Sequence, residues 1–228
     1  MYQFFIYFSL FIIISFIGWI VEVIYTFIET KKWVNRGFLL GPYCPIYGIS
    51  SLLMIELLEN YKDDFFVLFI SAVFICTIME YITSYLMEKL FKARWWDYSH
   101  LPFNLNGRVC LSNSLLFGIG AVILLKGILP FILPHLLAFP VLPFYYISGL
   151  LLLLFMTDFI LSFNIIFKFK NTIDCIRKDY TGEISEKVKK MVMQKSYPFR
   201  RLIRAFPNQV IMGIKSTFKR KKKRAISK

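Results

Sequence analysis

Residues 4–28 read FFIYFSLFIIISFIGWIVEVIYTFI, an apolar run broken by a single acid, Glu22. A helix needs about 20 mostly apolar residues to cross roughly 30 Å of hydrocarbon, and this run meets that length. No basic stretch precedes it and no small-residue cleavage site follows it, so it reads as a retained spanning helix and not as a signal peptide. Further apolar runs at 40–58, 65–88, 109–129 and 144–167 extend the pattern along a chain that is 57% hydrophobic. The expected fold is all-α: a polytopic integral membrane helix bundle of about five transmembrane helices over residues 1–167.

Charge is distributed unevenly. Residues 168–228 hold 19 Lys and Arg against 4 acids, whereas residues 1–167 hold 9 against 10. A near-neutral bundle thus precedes a second region, a basic tail expected to be partly helical. The connection 29–37 carries Lys31, Lys32 and Arg36, and 89–108 carries Lys89, Lys92, Arg94 and Arg108. By contrast, 59–64 has one lysine beside three acids, and 130–143 has no Lys or Arg. The positive-inside rule then predicts an outside N-terminus, with both basic loops and the tail inside. Four prolines in LPFILPHLLAFPVLP, residues 129–143, argue against a regular helix there. Short interfacial pieces are expected instead, and an extra membrane segment within 127–143 is left open.

Ionisable side chains inside spans cost at least ~2.5 kcal/mol at the helix centre and normally face the bundle interior. Here they are Glu22, Glu56, Glu80 and Asp158, of which Glu56 lies close enough to a span end to reach water. Thr77, Glu80, Ser84 and Met87 recur at helical spacing and form one stripe. Two inner loops, NRGFLLGPYCPIYG at 35–48 and WWDYSHLPFNLNGRVCLSNS at 95–114, run into helix starts, whose free N–H groups favour anions. The candidate ligand-binding residues are therefore Glu22, Arg36, Cys44, Glu80, Trp96, Asp97, Tyr98, Asn104 and Arg108. Their alternative is self-neutralisation, with Arg36 and Arg108 pairing Glu22, Glu80 and Asp97 as buried ion pairs. The order Glu22, Arg36, Cys44 followed by Glu80, Arg108, Cys110 also admits duplication of one two-helix unit.

Catalytic signatures are absent: there is no HExxH, no DxxxD motif, no Ser with a nearby His and no P-loop. No catalytic residue, metal site or cofactor is expected. Four cysteines without CxxC spacing and two histidines do not make a zinc set. In the tail, Arg200, Arg201, Arg204, Lys221, Lys222 and Lys223 are candidates for contact with an anionic inner leaflet, which attracts each basic residue by about 1 kcal/mol. Nucleic acid is not an expected partner, because no stacking platform accompanies the charge.

The words GWIVEVIY, NRGFLLGPYCPIYG, IMEYITSYLMEKLF and WWDYSHLPFNLNGRVCLSNSLLFG together resemble the bacterial ABC-transporter type IV family, the CmpB-like membrane proteins, over roughly residues 1–165. By position the resemblance carries to Glu22, Arg36, Gly41, Pro42, Cys44, Pro45, Gly48, Glu80, Trp96, Asp97, Tyr98, Asn104, Gly107, Arg108 and Ser114. Where the family pattern has Trp-Gly, this chain has Phe117 and Gly118, so an aromatic is retained. The resemblance implies a permease-like component of the cell membrane, served by a separate ATPase subunit or a homo-oligomer. The expected function is binding of a small polar or anionic solute at the cytoplasmic side. The alternatives are binding or modification of anionic lipid headgroups, or a non-catalytic scaffold.

Overall fold

The computed structural model describes residues 1–91 and 95–179, with side chains to residue 167; the six tail candidates Arg200 to Lys223 lie outside the described residues. Among the described residues six α-helices run in chain order: α1 (Tyr2–Thr30), α2 (Pro45–Leu58), α3 (Phe65–Phe91), α4 (Leu111–Ile123), α5 (Leu129–Leu137) and α6 (Val141–Asp179). A two-stranded hairpin, β1 (Asn104–Leu105) and β2 (Val109–Cys110), sits between α3 and α4. Among the described residues four helices are long and apolar enough to cross a membrane: Tyr2–Ile28, Phe65–Leu90, Leu111–Leu137 and Val141–Phe167. Their outward faces remain apolar, with Phe66, Phe74, Leu116 and Leu153 exposed, as lipid contact requires. The chain is a multi-pass membrane protein.

The expected span at 40–58 takes a different form. Its helical part, α2, has 14 residues, about 21 Å at 1.5 Å per residue, which is short of the roughly 30 Å hydrocarbon layer. Pro45 begins α2 at the position where a missing N–H is harmless, and extended Cys44 precedes it as N-cap. The Cys44 N–H donates to the carbonyl of Ser15, 2.9 Å away, at the middle of the Tyr2–Ile28 span. The non-helical segment 31–44 therefore re-enters the bundle to mid-depth before α2 turns back along α1. Tyr7, which donates to Glu56 Oε2 at 3.1 Å, marks the far end of that packing.

Irregular backbone at this depth needs protein acceptors, and Asp158 of α6 supplies them. Its Oδ1 accepts the Leu40 N–H at 3.0 Å and its Oδ2 the Gly41 N–H at 2.7 Å. Ser162 reinforces both groups, donating to Asp158 Oδ1 at 2.9 Å while accepting from the Leu40 N–H at 3.1 Å. Gly48 lets α1 and α2 meet: a Cβ there would overlap Ser15 Oγ and the Phe11 ring, and would stand 2.7 Å from the Phe11 carbonyl. Gly48→Ala is expected to cost about 1–3 kcal/mol as overpacking. Gly149→Ala, where a Cβ meets nothing within 4 Å, should be near neutral in the same thermal unfolding series in detergent.

The proline-rich connection also departs from expectation, because residues 129–137 are helical. A π-turn at Leu124–Ile128 precedes Pro130, and the Leu129 N–H bonds the Leu124 carbonyl five residues back. That shift places Pro130 in the first turn of α5, the one part of a helix that tolerates proline. α4, the π-turn and α5 thus form one span where the hydropathy ended it at residue 129. At the other end of the protein α6 continues past 167 to Asp179. α3 starts on Asp64, whose Oδ1 caps the Val67 N–H at 3.0 Å.

Candidate functional site

The loops 31–44 and 95–110 lie at the same end of the bundle, because Trp95 packs in one cluster with Val34, Phe38, Met87 and Ile166. Glu22 and Glu80 stand just above this end, on α1 and α3. Glu22 Oε1 accepts the hydroxyl of Tyr47 at 2.8 Å. Tyr47 reaches it because Gly18, one turn before Glu22, has no side chain; a Cβ there would overlap the Tyr47 ring. Tyr98, with Asn113 near it, lies in the neighbourhood of Glu80.

Glu80 is only 5% exposed, and its Oε2 has no hydrogen-bond donor. Its neighbours on the expected α3 stripe behave as the spacing predicted: Ser84 is buried and Met87 packs against Trp95. Tyr98 is a fixed donor, since burial first and the Glu80 charge second push its hydroxyl pKa well above the ordinary tyrosine value.

Local chemistry in the 95–110 loop holds Tyr98 in place. Asn106 and Gly107, with φ of 54° and 66°, form the two central residues of a hairpin turn closed by Arg108 N–H to the Leu105 carbonyl at 3.0 Å. Asn104 braces that turn, its Oδ1 accepting the Gly107 N–H at 3.0 Å and its Nδ2 donating to the Leu101 carbonyl at 2.6 Å. The Tyr98 N–H then donates to the Gly107 carbonyl at 2.8 Å, and Trp96 Nε1 to the Arg108 carbonyl at 2.8 Å. Asp97 accepts the Ser99 N–H at 3.1 Å. Trp96, Asn104 and the Asp97 turn are thus scaffold for Tyr98.

Arg108 is placed differently from the expectation. Its guanidinium pairs with Glu88 at 2.7 Å, lies 3.4 Å from Ser84 Oγ, and covers the rings of Tyr81 and Tyr85 at 5.6 and 5.4 Å. It therefore ties the hairpin to α3 through Glu88 and makes no ion pair with Glu80 among the described residues. Arg108→Lys should lose the stacked, forked geometry and lower stability by about 1–2 kcal/mol. Arg36 is half-buried in the 31–44 loop, where Asn35 organises the turn by accepting Trp19 Nε1 at 2.8 Å and the Gly37 N–H at 3.1 Å. Cys44 is buried as the N-cap of α2, and Cys110 holds the same position before α4.

Four participants escaped the sequence reading: Tyr47, Asn113, Glu88 and Gly18. Tyr47 and Asn113 each occupy the third residue of their helix, α2 and α4, so the two hairpins contribute matching positions to one cluster. The Asn106-Gly107 pair was the available signal for the hairpin, and Glu88 lies one turn beyond Ser84 on the stripe already recognised. Among the described residues no group of three or more His, Cys, Asp and Glu side chains is placed to hold a metal ion.

The family described as "Putative ABC-transporter type IV" matches residues 9–163, which takes in the 31–44 and 95–110 loops together with Glu22 and Glu80. No curated protein and no solved structure matches the chain. Four apolar spanning helices and a match over most of its length fit a membrane transporter component, and the chain belongs to the ABC-transporter type IV family.

Proposed function

We propose that this protein is a permease-like component of a transport system, and that Glu22, Tyr47, Glu80, Tyr98 and Asn113 form the polar site that engages a small solute. Its loops 31–44 and 95–110 and its basic tail face the cytoplasm, following the alternation of basic connections. The tail rests on the anionic inner leaflet, and a separate ATPase subunit supplies energy, in keeping with the family description. Residues 1–167 make the bundle that carries the site. The observation behind this reading is the buried Glu80 oxygen that no donor among the described residues satisfies. A buried polar atom left without a hydrogen bond costs free energy unless something else completes it.

Mass spectrometry of small molecules that co-purify with the protein tests this. Wild type should retain a polar species that Glu80→Gln loses, while the unfolding temperature of the variant stays within about 3 °C, the scale of a 1 kcal/mol change. Identical retention by both proteins would contradict the site. A retained lipid in place of a solute would favour a headgroup-binding role.

A further inference from the structure

The 95–110 loop ends in an apolar edge that the described residues leave uncovered. Phe103 is 83% exposed, Leu105 58% and Leu111, the first residue of α4, 48%. Successive side chains of a strand alternate between faces, so Phe103 and Leu105 share one side while Asn104 between them braces the turn. Leu111 joins them, because its N–H donates to the Phe103 carbonyl at 3.2 Å. Phe103 also holds a φ of 49°, a backbone conformation that bulky residues avoid, and its ring is still directed outward.

Depth decides what covers this edge. Asn106 Nδ2 donates to the Tyr81 hydroxyl at 3.1 Å, and the Arg108 guanidinium stands 3.4 Å from Ser84 Oγ. Both partners belong to the Phe65–Leu90 span, and any stretch of about 20 residues within it, the length that crosses the hydrocarbon, contains them both. The hairpin therefore lies beside acyl chains and not beyond the membrane. Ile78, Ile82 and Tyr85 of α3 are exposed as well, so the edge continues a face already turned to lipid. Backbone groups at this depth need partners, and the hairpin supplies them internally. Arg108 N–H donates to the Leu105 carbonyl, Gly107 N–H to Asn104 Oδ1 and Tyr98 N–H to the Gly107 carbonyl, at 2.8–3.0 Å. Arg108 carries its charge toward the end of the span, where it pairs with Glu88 at 2.7 Å.

We propose that this hairpin edge is immersed in the acyl chains of the adjacent leaflet, the inner one in the orientation given above, with Phe103, Leu105 and Leu111 as its anchors. Transfer of these exposed side chains from water to hydrocarbon offsets the strained backbone at Phe103. The loop that carries Trp96, Tyr98 and Arg108 is thus a lipid-contacting element and not a free cytoplasmic connection.

The test is photo-cross-linking of the full-length protein in its native membrane, with p-benzoylphenylalanine at position 103, 105 or 74, followed by mass spectrometry of the adducts. Phe74, 64% exposed on α3, is the lipid-facing reference. Positions 103 and 105 should give phospholipid adducts, joined through acyl carbons, in yields within about tenfold of position 74; position 105 suffices if the probe at 103 disturbs the strained turn. Lipid adducts more than about tenfold below position 74 at both sites, a deficit of about 1.4 kcal/mol in lipid occupancy, would overturn the immersion. Capture of another subunit or of a second copy at both sites would overturn it as well and make the edge a protein interface. Neither position belongs to the proposed polar site, so the result stands or fails apart from solute binding at Glu80.

Discussion

Asp158→Ala should lower the stability of the protein by about 3 kcal/mol, the cost of leaving two backbone N–H groups without an acceptor inside the bundle. Leu40 and Gly41 donate to its two carboxylate oxygens at 3.0 and 2.7 Å, and no other side chain serves both. Ser162 shares the Leu40 N–H, so it softens the loss on one side only. For a chain of this size the change corresponds to roughly 10 °C in unfolding temperature. Asp158→Asn retains one carbonyl oxygen and should lose about half as much, while Ser162→Ala should lose less still. Unfolding in detergent measures the series, and an Asp158→Ala protein as stable as wild type would show that the re-entrant loop does not depend on α6.

Gly18→Ala should have the larger effect on function. The added methyl overlaps the Tyr47 ring, and the ring is confined on its other side by Phe117, whose centroid is 6.0 Å away. Tyr47 must rotate or α2 must move outward, and in either case its hydroxyl leaves Glu22. Ligand retention is expected to fall at least tenfold, about 1.4 kcal/mol, with a smaller cost in stability than Gly48→Ala brings. Tyr47→Phe removes the same hydrogen bond without moving the helices. If both changes act through that bond, the double variant loses little more than either single one. Simple additivity would mean that Gly18 matters for helix packing alone.

The membrane class was legible in residues 4–28 because length and hydropathy alone decide it. The α3 stripe was legible too, since Thr77, Glu80 and Ser84 obey helical spacing whatever surrounds them. At 40–58 hydropathy did not separate the helix Pro45–Leu58 from the non-helical residues before it, because Leu40 is as apolar in an extended segment as it would be in a helix. Only the acceptors on Asp158 and Ser15 distinguish the two, and these lie far away in sequence. The proline count misled at 129–137 because Pro130 follows a π-turn in the first turn of α5, while Pro134 is accommodated inside the helix. Charge counting brought Arg108 to the wrong acid. Glu22 and Glu80 were the conspicuous intramembrane acids, yet the hairpin turn at Asn106-Gly107 directs Arg108 along the flank of α3 to Glu88. Tyr47 could not be paired with Glu22 without knowing that α2 lies against Gly18.

The most direct test of the central claim is a cryo-electron microscopy structure of the full-length protein in a lipid nanodisc. The account predicts non-protein density within hydrogen-bonding distance of Glu80 Oε2, absent from a Glu80→Gln map. A guanidinium or other protein group closing on Glu80, with no added density, would contradict it and leave Glu80 as an architectural lock.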